Sequence, residues 1–126
     1  MKLILDNGAL IALERNDRAM WRRLKAAVAA QQVALCHGGI VGQAWRGHGP
    51  RQALLAKALE SIEIQPLDRT LGRAAGELLA KAGRSDVIDA ALVLLAEDGD
   101  QIVTSDPQDI APLAMAAHRH IELIRV

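Results

Sequence analysis

Three aspartates stand where a parallel α/β sheet would place catalytic groups. Asp6 ends the short apolar run Leu3–Leu5, and Asp106 follows the short apolar run at 102–103. Asp86 begins a segment that is apolar almost all round. In an open parallel sheet, sites form beyond the carboxyl ends of the strands. We therefore expect these three carboxylates, which come from distant parts of the chain, to meet at one end of one sheet.

Carboxylates gathered in this way need a cation. Two of them about 5 Å apart repel one another by roughly 3 kcal/mol at an effective dielectric of about 20. Mg²⁺ or Mn²⁺ would offset this repulsion, because hard cations take carboxylate oxygens and keep several waters. A cation held there could activate water and stabilise charge on a phosphodiester. Asp89 lies three residues after Asp86, so both can share one face of a helix.

Each aspartate also has a purely structural interpretation. Asp6 could simply end a strand, and Asp86 could simply begin a helix. Asp106, followed by Pro107, could be an ordinary helix start, and Asp89 could be a surface or packing residue of its helix. The hypothesis of a site rests on the conjunction, since these residues stand at predicted strand ends and helix starts.

The elements that position these residues alternate between strands and helices. Apolar runs predict strands at 3–5, 33–36, 62–64, 102–103 and 121–124. Periodicity and capping residues predict helices at 9–15, 18–30, 51–60, 86–97 and 107–117, one from Asp68 to Lys81, and one after Gly38 that holds Gln43. This alternation indicates an α/β fold, with a central, mainly parallel sheet of four to five strands and helices on both faces.

The composition fits one domain over residues 1–126. Hydrophobic residues make up 51% of the chain and none is Phe or Tyr, so the core is aliphatic. Trp21 and Trp45 are expected in this core or at a dimer interface. Residues 1–63 hold nine Lys/Arg and five Asp/Glu, whereas residues 64–126 hold six and ten. With one cysteine, no signal peptide and no membrane-length apolar run, we expect a cytoplasmic protein without membrane attachment.

Four segments resemble PIN domains, and the resemblance extends over essentially the whole chain. They are LDNGALIAL at 5–13, GGIVGQAWR at 38–46, SDVIDAA at 85–91 and VTSDPQDI at 103–110. Within that family the chain is similar to the VapC toxins of toxin–antitoxin pairs. The resemblance implies a ribonuclease that uses Mg²⁺ or Mn²⁺, forms a homodimer and is silenced by a VapB antitoxin.

Carried over by position, the resemblance implies that Asp6, Asp86 and Asp106 are the first, third and fourth metal carboxylates. The second is normally a Glu, and here Gln43 stands in its place. An amide oxygen can still coordinate a cation or position a water, but it supplies no negative charge and cannot act as a base at neutral pH. We therefore expect weaker metal affinity, and we hypothesise that Asp89 supplies the missing charge.

Basic residues are candidates for binding RNA. Arg46 and Arg51 flank a Gly-Pro turn close to Gln43 and could hold phosphates, although a solvated turn or a contact with a partner protein would also explain them. A second basic stretch follows on the helix at 18–30. A charged outer face is the commoner explanation of such a stretch, and contact with RNA or an antitoxin is the alternative.

The sequence thus predicts a metal-dependent endoribonuclease of the VapC type. The alternative is a catalytically weakened PIN domain that binds RNA or a partner, and Gln43 supports it. A nucleotide-binding loop at 37–42 lacks the Gly-x-Gly-x-x-Gly spacing and a Lys-Ser/Thr ending. A phosphoacceptor at Asp6 would need adjacent acidic residues after the first strand, which the chain lacks.

Overall fold

A computed structural model describes residues 1–126 and contains five strands and seven helices. The strands are β1 (Leu3–Leu5), β2 (Ala34–His37), β3 (Glu63–Gln65), β4 (Gln101–Thr104) and β5 (Glu122–Arg125). The helices are α1 (Asn7–Glu14), α2 (Arg18–Ala29), α3 (Gly38–Ala44), α4 (Pro50–Leu59), α5 (Arg69–Ala82), α6 (Val87–Leu94) and α7 (Pro107–Ala116). Each predicted element is present, with boundaries that shift by up to three residues.

All five strands lie in one parallel sheet in the order β3-β2-β1-β4-β5. Leu3 of β1 pairs with Ala34 of β2 on one side and with Gln101 of β4 on the other. From β1 the chain adds strands first on one side and then on the other, so the winding changes direction between β1 and β4. In open parallel sheets, binding sites form at the carboxyl ends of the strands where the winding changes direction. The α/β prediction is confirmed, and the sheet is entirely parallel.

Helices cover both faces of the sheet. Helices α2, α3 and α4 each contact α1, and α5, α6 and α7 contact one another, which separates the helices into two layers. All three residues of β1 are buried, with at most 1% of their surface exposed. Because alternate residues of a strand point to opposite faces, this burial needs a layer on each side. The core is a cluster of 29 buried hydrophobic residues. None of the helices has the length and apolar character needed to cross a membrane.

Two of the helix starts that differ from the prediction involve an aspartate. Helix α1 begins at Asn7 rather than at residue 9, because the side chain of Asp6 accepts a hydrogen bond from the Asn7 N–H and caps the helix. Helix α6 begins at Val87, one residue later than predicted, because Asp86 caps it. The capping groups are therefore the same residues that were singled out for their chemistry.

Candidate active site

The boundary between β1 and β4 brings two of the candidate residues to one edge of the sheet. Asp6 follows β1 directly, and its backbone N–H donates to the carbonyl oxygen of Val103 at 3.0 Å. Asp106 follows β4 after one intervening residue and precedes α7. Asp6 is 7% exposed, whereas Asp106 is exposed. This edge of the sheet therefore carries one buried carboxylate and one exposed carboxylate.

Thr104, the last residue of β4, links these two aspartates. Its hydroxyl group donates a hydrogen bond of 2.7 Å to Oδ2 of Asp6 and accepts one of 3.0 Å from the backbone N–H of Asp106. The other oxygen of Asp6 accepts a bond of 2.7 Å from the Asn7 N–H. Sequence reasoning missed Thr104, which is fully buried. The available signal was its position directly after the apolar run at 102–103 and two residues before Asp106.

Gly8 lets the start of α1 lie directly against Ser105. A Cβ atom at Gly8 would stand 2.6 Å from Oγ and 2.8 Å from Cβ of Ser105. No larger residue fits there unless one of the two segments moves. Beside Gly8, Oδ1 of Asn7 is buried without a hydrogen-bond partner. Such an unpaired acceptor is unfavourable, and a water or a cation next to α1 would relieve it.

Helix α6 adds two carboxylates. Asp86 is exposed, and its Oδ1 accepts a hydrogen bond of 3.1 Å from the backbone N–H of Asp89. Burial raises the pKa of the Asp89 carboxyl to about 7, and four negative charges contribute to that rise, those of Asp86, Asp6, Asp109 and Asp106. Asp89 therefore lies within electrostatic reach of Asp6, Asp86 and Asp106.

Asp109 belongs to this group although sequence reasoning did not identify it. It lies in the first turn of α7, three residues after Asp106. The spacing repeats that of Asp86 and Asp89 and places two carboxylates on one side of a helix, which is the signal that could have found it. We refer to the five residues as the carboxylate cluster: Asp6, Asp86, Asp89, Asp106 and Asp109.

The carboxylate cluster suits a hard divalent cation by its charge and its chemistry. Carboxylate oxygens are ligands that Mg²⁺ and Mn²⁺ prefer, and a cation would offset the repulsion felt by Asp89. The positions of the side chains fit a cation less well than their chemical type does. No group of three or more His, Cys, Asp or Glu side chains is arranged so that it could hold a metal ion. Exposed members such as Asp86 and Asp106 would have to turn toward Asp6 to share one ion with it.

Gln43 lies on α3, which packs against α1 and β2, and its side chain is exposed. None of the hydrogen bonds to Asp6, Asp86 or Asp106 comes from Gln43. Gln43 therefore lies on a helix that packs against α1, the helix that Asp6 caps. It makes no hydrogen bond to the carboxylate cluster.

The two candidate arginines differ in their surroundings. Nη1 of Arg46 donates to the carbonyl oxygens of Gly42 at 3.1 Å and Trp45 at 2.7 Å, so this group satisfies the C-terminal end of α3. Arg51 is exposed in the first turn of α4. The turn between them is held by the buried side chain of Gln52, whose Oε1 accepts hydrogen bonds from two backbone N–H groups. Trp45 is 40% exposed and is therefore not a core residue. Its alternative placement, at a dimer interface, stays a prediction.

His37 connects the end of β2 to α6. Its Nδ1 accepts a hydrogen bond of 3.0 Å from the Gly39 N–H, so the ring proton lies on Nε2, which donates to the Ile88 carbonyl oxygen at 3.0 Å. Burial lowers the pKa of His37, against the opposing effects of the Ile88 carbonyl and the charge of Asp6. Sequence reasoning considered this residue as part of a candidate nucleotide-binding loop at 37–42, and its position between a strand end and a helix start was the missed signal.

Comparison with known proteins supports the fold alone. No protein-family model matches the chain, and no curated protein sequence matches it. Among solved structures, it is similar to a chain in the crystal structure of VapBC2 from Rickettsia felis bound to a DNA fragment from their promoter. The TM-score is 0.67, and the identity is 15% over 98% of each chain. The fold is PIN-like. In this PIN-like fold, the carboxylate cluster gathers around the carboxyl ends of β1 and β4.

Proposed function

We propose that this chain is a metal-dependent endoribonuclease of the VapC type, which hydrolyses RNA phosphodiester bonds. The observation that carries the proposal is the carboxylate cluster itself: burial raises the pKa of Asp89 to about 7, and the charges of the four other aspartates add to that rise. Five carboxylates near the carboxyl ends of β1 and β4 repel one another, and a shared cation would offset that repulsion.

The proposed metal ligands are Asp6, Asp86 and Asp106, with Asp89 as a further ligand and the Gln43 amide in the place of a Glu. Bound Mg²⁺ or Mn²⁺ would supply a Lewis acid and a water of lowered pKa. Asp89 carries a proton part of the time near pH 7 and has to lose it before both oxygens can coordinate. Metal binding is therefore expected to release a proton.

The chain's own residues prepare this site before any cation binds. Thr104 and the Asn7 N–H hold the two oxygens of Asp6 in one orientation. Both arginines are proposed to bind RNA phosphates. The guanidinium of Arg51 makes no internal hydrogen bond. Arg46 can bind a phosphate through Nε and Nη2, because only its Nη1 is bonded to the carbonyl oxygens at the end of α3.

We further propose that the chain acts in the cytoplasm as a homodimer that is paired with a VapB-type antitoxin. The support for the antitoxin is that the similar solved structure is a VapBC2 complex. A partner that covers the carboxylate cluster would keep RNA away from it, which is the simplest way to silence such a site.

The test compares two aspartates that play the same local role. Asp86 and Asp68 both cap a helix by accepting from the third backbone N–H. Asparagine keeps this cap, so Asp86→Asn and Asp68→Asn should fold equally well. Mn²⁺ binding is measured by calorimetry, and RNA cleavage is followed on the same samples. We expect Asp86→Asn to lose both activities and Asp68→Asn to keep both. Loss in neither variant would contradict the metal site.

A second function, a catalytically weakened PIN domain that binds RNA or a partner, is favoured by two observations. No three potential ligands are arranged to hold a metal ion, and the neutral Gln43 removes one charge from the site. This alternative predicts no Mn²⁺ binding at millimolar concentration and no cleavage by the wild type, together with retained binding of RNA or of a partner protein.

A further inference from the structure

A basic groove separates α2 from α4 and is distinct from the carboxylate cluster. Four cations line it, Arg18, Arg22 and Lys25 from α2 and Lys57 from α4, and Trp21 lies among them. The groove has a volume of about 300 Å³, and no acidic residue lines it. We refer to it as the α2–α4 groove. It contains part of the basic stretch at 18–30, for which the sequence alone allows either a charged outer face or a binding surface.

The four cations of the α2–α4 groove are unpaired. The only ion pairs in the chain join Lys2 to Glu97 and to Asp100. Like charges around one concave surface repel one another and raise the local concentration of anions. An anion in the α2–α4 groove would therefore be bound without first displacing an internal partner.

Trp21 gives the α2–α4 groove a rigid wall. Its Nε1 donates a hydrogen bond of 3.0 Å to the carbonyl oxygen of Leu13, which fixes the plane of the ring. The ammonium group of Lys25 lies over that ring, 5.9 Å from the centroid. The contact restrains a long, flexible side chain and keeps its charge at the edge of the groove.

We propose that the α2–α4 groove binds the phosphate backbone of the RNA substrate, as a second contact site beside the carboxylate cluster. This inference rests on the proposed ribonuclease function and deepens it. Helix α1 joins the two regions, since Asp6 caps its start and Asn16, which lines the groove, follows its end. Ten residues at about 1.5 Å each cover about 15 Å. Roughly five stacked nucleotides, at about 3.4 Å each, cover the same length.

The lining favours a nucleic acid backbone over an acidic protein segment. Only two of the seven lining residues are hydrophobic, Trp21 and Leu54. Protein partners usually anchor apolar side chains at the centre of an interface, and this groove offers little surface for them. Phosphates need only cations and hydrogen-bond donors, which the groove supplies.

The experiment measures binding of a fluorescein-labelled single-stranded oligouridylate by anisotropy, with a chelator present to prevent cleavage. The groove variant is Arg18→Gln with Lys25→Gln. The control variant, Arg23→Gln with Arg73→Gln, removes the same charge from exposed positions outside the groove. We expect affinity to fall about tenfold in the groove variant and less than about twofold in the control. The slope of log affinity against log salt should become shallower by about 0.7 for each phosphate that the variant no longer neutralises.

Trp21 supplies a local measurement of the same event. Trp45→Phe leaves Trp21 as the only tryptophan of the chain. Addition of the oligouridylate should change its emission in this background and in the control variant. The change should disappear when Arg18→Gln and Lys25→Gln are added.

Three results would overturn the groove proposal. The first is an equal loss of RNA affinity in the groove variant and the control variant, and the second is unchanged RNA affinity in the groove variant. The third is a wild type that binds polyglutamate in the groove but does not bind the oligouridylate. That third result would assign the groove to an acidic protein partner. Cleavage by the wild type with Mn²⁺ is measured in parallel. Cleavage without groove-dependent binding overturns only the groove, whereas groove-dependent binding without cleavage supports the groove and overturns the nuclease function.

Discussion

The hydroxyl group of Thr104 donates a 2.7 Å hydrogen bond to the carboxylate of Asp6, although the two residues lie 98 positions apart in the chain. The bond crosses the boundary between β1 and β4, where the sheet changes its winding direction. Thr104 is completely buried, and Asp6 is only 7% exposed. The orientation of the most buried carboxylate of the cluster is therefore set by a side chain from a distant part of the sequence.

Thr104→Val should weaken both stability and metal binding. Valine keeps the shape of the side chain but leaves Oδ2 of Asp6 and the N–H of Asp106 without their partner. We expect the free energy of unfolding in urea to fall by about 1–3 kcal/mol. Affinity for Mn²⁺ should fall about tenfold or more in calorimetry, as for other groups that orient a metal ligand.

Two further threonine variants control this experiment. Thr104→Ser keeps the hydroxyl group and should recover most of the Mn²⁺ affinity. Thr70→Val makes the same chemical change at an exposed site on α5 and should leave Mn²⁺ binding unaltered. Wild-type Mn²⁺ affinity in Thr104→Val would show that the hydrogen bond does not position Asp6 for a cation.

Asp89→Asn should stabilise the metal-free protein at and above neutral pH. The pKa of Asp89 is about 7 in the folded chain, against an ordinary value of 3.8. Between these values the folded chain holds a proton that the unfolded chain has lost. Stability from this group is therefore complete below about pH 4 and is lost as the pH rises through about 7.

The measurement for Asp89 is urea unfolding with a chelator at about pH 5 and about pH 8. The stability gained by Asp89→Asn should be larger at the higher pH. Mn²⁺ added at the higher pH should stabilise the wild type more than the variant, because Asp89 is a proposed ligand. A gain that is equal at the two pH values would contradict the placement of Asp89 among the other carboxylates.

Gln43→Glu should strengthen Mn²⁺ binding. The variant restores a negative charge at the position where the resemblance to PIN domains implies a carboxylate, and α3 packs against the helix that Asp6 caps. We expect affinity to rise about tenfold at low salt, which corresponds to about 1.4 kcal/mol. Gln31→Glu makes the same charge change at an exposed turn and is the control. Equal effects of both variants would indicate only a general attraction to net charge.

Gly8→Ala should destabilise the fold even though alanine normally favours helices. The added Cβ would stand 2.6 Å from Oγ and 2.8 Å from Cβ of Ser105. We expect a loss of about 1–3 kcal/mol in urea unfolding. Gly76→Ala on α5 meets open space and should instead stabilise the protein by about 0.5–1 kcal/mol.

A double-mutant cycle assigns the effect of Gly8→Ala to one contact. Ser105→Gly removes both crowded side-chain atoms, so Gly8→Ala should cost less in that background. Strict additivity of the two substitutions would mean that the crowding is relieved elsewhere, through movement of α1 rather than of Ser105.

Local patterns were enough to predict the alternation of strands and helices and the α/β class, and to single out Asp6, Asp86 and Asp106 as candidate site residues. They were also enough to propose Asp89 as a fourth. The reason is that apolar periodicity, helix caps and strand ends are encoded by residues close together in the chain. The PIN-like fold that these elements form agrees with the resemblance found in four short segments.

The tertiary structure alone decided which groups contact one another. The hydroxyl of Thr104 reaches Asp6, the ring of His37 reaches the start of α6, and Gly8 meets Ser105 only because distant elements are neighbours in space. The same holds for the four unpaired cations of the α2–α4 groove, which come from two helices. Strand order and helix packing arise from burying one shared core, a long-range effect that no window of sequence contains.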